Sequence, residues 1–94
     1  MKYMTDAQVA NVSRFLKAKG VDCETVHQRM KGNEESQISI KDPEIVEFLM
    51  RERSRGTQIT LICNDEDLAG HCRVQGIPVA FIPELVLEDI NRRE

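Results

Sequence analysis

Residues 58–72, QITLICNDEDLAGHC, decide the fold. Ile59, Thr60, Leu61, Ile62 and Cys63 form a β-branched, nearly continuous apolar run, as expected of a central strand covered on both faces. Asp65, Glu66 and Asp67 follow at once, and then Leu68, Ala69 and Cys72 recur at the spacing of one helix face until Gly76. The unit is strand, acidic turn, helix.

Outward from this unit the same alternation continues. IPVAFI, residues 77–82, predicts another buried strand, and Pro83 opens a helix through PELVLEDI. Upstream, SIKDPEIVEFLMRERSRG predicts a helix with Asp42 as N-cap and Pro43 as first helical residue. Ile45, Phe48 and Leu49 make its apolar face, and Gly56 ends it. At the start of the chain KYMTD supplies a strand, and Val9, Ala10, Val12, Phe15 and Leu16 a helix that KAKG stops. VDCETV predicts a brief second strand, and HQRMKGNEESQ, with Gly32 and Asn33, a polar loop. The order βαβ, loop, αβαβα predicts one α/β domain over residues 1–94, a four-stranded, mainly parallel sheet with helices on both faces and right-handed crossovers.

Composition bounds the function. The chain has 94 residues, 40% hydrophobic and 31% charged, which suits one small core and is too apolar for a disordered chain. A net charge of −3 gives no general attraction for phosphate backbones, so nucleic-acid contact would need a local basic face. Cys23, Cys63 and Cys72 are odd in number and lack the close pairs of a zinc site, which predicts buried thiols in a reducing compartment. No apolar run approaches a membrane span, and MKYMTDAQ lacks the apolar core of a signal peptide. The expected location is the cytoplasm.

In a parallel sheet all strands end on one rim, and ligands gather outside it. Asp6 lies just beyond the first strand, and Asp65 and Asp67 just beyond the third, so these acids converge if those strands are neighbours. Asp42 or Glu44, at the head of the second helix, would complete the group. Two carboxylates about 5 Å apart repel by roughly 3 kcal/mol at an effective dielectric near 20. That is a large share of the about 5 to 15 kcal/mol that holds a domain folded. The acids must splay into water, take up protons, or hold a hard cation such as Mg²⁺ or Mn²⁺. A plainer role stands beside this one: Asp65 and Asp42 cap helices, while Glu66 and Asp67 complement a helix dipole.

On these residues the chain resembles the PIN-like nucleases, in particular a small group with the plan DxN, helix, GxDV, DxEI, TxDxDF. The matching stretches are TDAQ around Asp6, KGVDCETV from Lys19, KDPEIVEFL from Lys41 and ICNDEDLAGHCRVQGIPVAFIPEL from Ile62. They run in order over nearly the whole chain, and the late acidic block with its GIPV strand is the distinctive part. The resemblance implies a Rossmann-like three-layer sandwich and Mg²⁺- or Mn²⁺-dependent cleavage of RNA. It implies metal ligation and catalysis by Asp6, Asp42, Asp65 and Asp67, with Glu44 as the alternative to Asp42. It further implies the toxin of a toxin–antitoxin pair, with an antitoxin protein and a second copy as partners, although no self-association seam is legible.

Three positions depart from the plan. Cys63 replaces the usual Thr or Ser, Gln8 the usual Asn, and Leu68 the usual aromatic. These departures make a catalytically inactive interaction module the alternative reading. For RNA contact the candidates are Arg51, Arg53 and Arg55, then Lys17, Lys19, Arg29 and Lys31, although Glu47, Arg51 and Arg55 at four-residue spacing also fit a solvated helix face. His27 and His71 lack a second ligand at suitable spacing and predict surface or capping roles. Phe15, Phe48 and Phe81 fall on expected core faces. A phosphate-sensing receiver also gathers acids at strand ends, but IPVAFIPEL lacks the lysine that such a domain needs after a late strand.

Overall fold

The computed structural model describes residues 1–31 and 41–93. Four strands, β1 (Lys2–Thr5), β2 (Cys23–Thr25), β3 (Ile59–Cys63) and β4 (Val79–Phe81), form one sheet in the order β2-β1-β3-β4. Every pairing is parallel, with Tyr3 opposite Cys23, Thr5 opposite Ile62, and Cys63 opposite Phe81. The expected α/β class therefore holds, and the sheet is parallel throughout.

Among the described residues five α-helices cover it: α1 (Ala10–Ala18), α2 (Val26–Lys31), α3 (Asp42–Ser54), α4 (Glu66–Val74) and α5 (Glu84–Arg93). Alternate residues of β3 feed opposite layers, because successive side chains of a strand point to opposite faces. Ile59, Leu61 and Cys63 join Met4, Val26, Ile45, Leu49, Leu68 and Cys72 under α2, α3 and α4. Ile62 joins Val9, Val12 and Cys23, with Leu87 and Ile90 partly buried against them under α1 and α5. Three layers result, as in a Rossmann-like sandwich.

Several local expectations need correction. The stretch read as a loop after the second strand begins with α2, over Val26–Lys31; its remainder, residues 32–37, lies outside the described residues. Asp42 is not the N-cap of α3 but its first residue, with Lys41 at the cap and the Glu44 and Ile45 amides donating to the Lys41 carbonyl. A short 3-10 turn, Ala7–Val9, precedes α1. β4, expected to be buried, is an edge strand whose Ala80 is exposed. Phe48 and Phe81 pack against the larger cluster, whereas Phe15 is only partly buried, with the Lys19 ammonium 5.6 Å from its ring centre.

Helix ends follow ordinary chemistry. Gly76 adopts φ 78°, a left-handed conformation that favours glycine, and the Ile77 amide returns to the Cys72 carbonyl at 2.9 Å. Cys23, Cys63 and Cys72 are free and buried, as expected. Among the described residues no helix is long and apolar enough to cross a membrane.

Candidate functional site

The chain runs from β1 to β2 on one side and later enters β3 on the other, so the β1/β3 boundary is the topological switch point of the sheet. Crevices form outside the strand ends at such a point, because the connections diverge there. Asp6 and Asp65 stand on its two sides. The Asp6 amide donates to the Ile62 carbonyl at 3.2 Å, which ties the end of β1 to the end of β3. The condition set by the sequence, that these strands be neighbours, is met.

Asp6 is the buried member of the group, 7% exposed. Its Oδ1 accepts from the Ala7 amide at 2.8 Å. Burial pushes its carboxyl above the ordinary carboxylate value; the Ala7 hydrogen bond and His27 pull it back, and the charges of Asp42 and Asp65 push it up again. Asp42 is raised as well, first by partial burial and then by Asp65, with His71 opposing and Asp67 adding. Asp6, Asp42 and Asp65 thus sense one another, and Asp67 joins through Asp42. At the head of α3, Glu44 is exposed while Asp42 is partly buried and within electrostatic reach of Asp65 and Asp67.

Asp65 has a structural duty too. Its Oδ1 accepts from the amides of Asp67 at 2.9 Å and Leu68 at 3.2 Å, an N-cap on α4. This leaves the second carboxylate oxygen as an acceptor for a further partner, since an ionised carboxylate offers about four lone-pair sites. Just before it, the Cys63 thiol donates to the Asp65 carbonyl at 3.6 Å. That cysteine supplies a weak version of a hydroxyl contact, and burial pushes its thiol above the ordinary value.

Among the described residues no group of three or more His, Cys, Asp or Glu side chains is placed so that it could hold a metal ion. Mg²⁺ is ordinarily held by one or two carboxylates while keeping several waters, fewer protein ligands than such a group supplies.

The arginines lie elsewhere. α3 runs from the acidic rim back to the start of β3, so Arg51, nine residues beyond Asp42, is displaced by about 14 Å along the helix. Arg53 donates to the Gly76 carbonyl, and Arg55 pairs with Glu52 at 4.0 Å. Arg29 bridges Glu24 at 3.7 Å and Glu52 at 3.6 Å. Lys17 and Lys19 end α1 on that same far rim, and the Lys31 side chain lies outside the described residues. Among the described residues Arg29 and Arg55 pair with Glu24 and Glu52 and not with Asp6, Asp42, Asp65 or Asp67, whereas exposed Lys41 is next to Asp42 in the chain.

His27 was missed as a member of the site. It follows β2 directly, on the rim that carries Asp6, and its charge favours the ionised form of that acid. Its Nδ1 is buried without a hydrogen-bond partner among the described residues. The signal was available: a residue just past a strand neighbouring β1 must stand on the same rim. His71 is exposed, as expected, and acts on Asp42.

Comparison with known proteins brings no match: no family model, no curated protein and no solved structure is similar to this chain.

Proposed function

We propose that this domain is a metal-dependent endoribonuclease of the PIN-like type, acting as the toxin of a toxin–antitoxin pair. The observation that supports the reading is that Asp6 and Asp65 stand on the two sides of the switch point of the sheet, with Asp6 buried although it lies within electrostatic reach of Asp65 and Asp42. The hydrogen bond that Asp6 accepts from the Ala7 amide, a cap on the short 3-10 turn, offsets part of the cost of burying this carboxylate, and a hard cation and a phosphate oxygen would turn the remaining repulsion into binding.

In this reading the chain aims its carboxylates. The Ala7 amide holds Oδ1 of Asp6, and the first turn of α4 holds Oδ1 of Asp65, so both acids present a remaining oxygen from a fixed backbone. Asp42 would complete the group, and Asp67, exposed in the first turn of α4, would extend the acidic surface toward solvent. Bound Mg²⁺ or Mn²⁺ would supply charge neutralisation at the phosphate and a water of lowered pKa. Lys41 is the nearby cation suited to a backbone phosphate of the RNA.

The test is Mn²⁺-dependent cleavage of a mixed RNA pool by the wild type beside Asp6→Asn and an Asp65→Asn, Asp67→Asn double variant. Cleavage by the wild type alone is expected; equal cleavage by all three would remove these acids from the chemistry. A second reading, an inactive interaction module, draws on Cys63, on Gln8 and on the lack of an enclosed three-ligand group. Metal-induced stabilisation without RNA cleavage would favour it. A neighbouring gene for a small DNA-binding protein would favour the toxin reading.

A further inference from the structure

The helices differ in how deeply they are seated. α1 buries Val12, α2 buries Val26, α3 buries Ile45 and Leu49, and α4 buries Leu68, Ala69 and Cys72. Along α5 none of residues 84–92 is buried: Leu87 and Ile90 are half-buried against the smaller cluster, and Leu85 stays 79% exposed. A surface contact, the Asn11 side-chain amide donating to Asn91, ties α5 to α1. Elements seated so lightly open at free energies below that of global unfolding.

The root of this helix is held more firmly than its body. The Ile82 amide donates to the Cys63 carbonyl at 2.9 Å, and the Asn64 side-chain amide donates to the Ile82 carbonyl. Two consecutive residues at the end of β3 thus hold both polar groups of Ile82. Pro83 follows with no N–H to offer the sheet, and its carbonyl accepts from the Val86 and Leu87 amides inside α5. The pyrrolidine ring fixes φ at Pro83, and those two bonds fix its ψ. An intact α5 therefore swings by rotation at Ile82, and that rotation turns the Ile82 carbonyl away from Asn64.

We propose that α5 is a strap that undocks from the α1 face as one unit by rotation at Ile82, and that the Asn64 side chain is the latch that keeps it closed. Opening bares Ile62 and the smaller cluster beside it, while the larger cluster under α2, α3 and α4 stays shut. Asn64 directly precedes Asp65, so the latch sits on the strand end that carries part of the acidic rim.

Native-state hydrogen exchange of the 94-residue chain at rising, sub-denaturing urea tests this, read amide by amide by NMR, with Asn64→Ala beside the wild type. In the wild type the amides of Leu87 to Asn91 are expected to share one exchange rate, at least about 10-fold above that of the β3 amides and little changed by urea. In Asn64→Ala that rate should rise about fivefold, as the loss of one hydrogen bond of ordinary strength from the closed state implies. Circular dichroism checks folding, and Asn64→Leu replaces Asn64→Ala if the latter unfolds. Exchange of α5 at the rate of β3 would overturn the strap, as would rates that climb steadily from Leu87 to Asn91, the pattern of fraying. An α5 rate unmoved by loss of the Asn64 amide would overturn the latch, because α5 would then open with that bond intact.

Discussion

The two rims of the sheet carry opposite charge, and the helices account for most of that. α3 and α4 begin at one rim, where their dipoles favour Asp42, Glu44, Asp65, Glu66 and Asp67; α3 ends at the other, where the dipole favours Arg51 and Arg53. On the arginine rim every described partner is ordinary: Gly76 for Arg53 and Glu52 for Arg55. The acidic rim has a remainder. Asp6 starts neither α3 nor α4 but caps the short turn Ala7–Val9; it is buried, and that burial first, then the charges of Asp42 and Asp65, push it toward its protonated form. The contrast separates charges placed by helix dipoles from one held by a single backbone hydrogen bond against burial.

The largest expected effect is on chemistry. Asp6→Asn should lower Mn²⁺-dependent RNA cleavage by about 10- to 100-fold or more, since it removes a ligand-type group that is held in place. Arg53→Ala, measured in the same assay, should stay within about twofold, because Arg53 stands on the other rim. A loss with Arg53→Ala as large as that with Asp6→Asn would erase the distinction between the rims.

Next comes the double role of Asp65. Asp65→Ala removes the α4 cap and should cost about 1 kcal/mol in urea unfolding. Asp65→Asn keeps a good capping side chain, so its stability should fall within about 0.5 kcal/mol of wild type while its cleavage still drops. Equal stability losses in both variants would mean that charge, not capping, sets the role of this residue.

The third effect is a pH dependence of metal-free stability. The folded values of Asp6 and Asp42 are raised above the unfolded one, so between the two values the folded state binds more protons. The associated stabilisation is present below the ordinary carboxylate value near 3.8 and is lost as pH rises through the raised ones. Melting temperature followed upward from that region should show this loss in the wild type, and Asp6→Asn should remove part of it. An unchanged profile in the variant would place the strain elsewhere. The smallest effect belongs to Arg55→Ala, within about 0.5 kcal/mol of wild type by urea unfolding, because its exposed guanidinium is 4.0 Å from a Glu52 that keeps Arg29 as a second partner.

Much of the architecture was legible because the strongest signals are local. A β-branched run such as Ile59–Cys63, a Pro43 just inside a helix, and a Gly76 just past one depend only on neighbouring residues. Less legible was whatever depends on what lies beside an element. IPVAFI is apolar enough for a central strand, yet β4 is at the edge, since edge or centre is set by strand order and not by composition. Val26–Lys31 forms a helix because Val26 is wholly buried and Met30 packs on the same cluster, an anchoring that the polar residues between them conceal. At the site, the acids at strand ends are readable from the sheet rule, but short sequence spacing does not reveal that the charge of His27 acts on Asp6, which follows a different strand.

The sequence by itself determined the alternation of strands and helices, the parallel sheet that such alternation requires, and the presence of acids after two strands, since each follows from the period of apolar residues and from the ends of elements. Only the tertiary structure decided that β1 lies beside β3, that Asp42 is partly buried while Glu44 is exposed, and that the arginines of α3 lie toward the far rim. Those outcomes depend on which elements pack together and on how far a helix carries a side chain, distances in space that no spacing along the chain encodes.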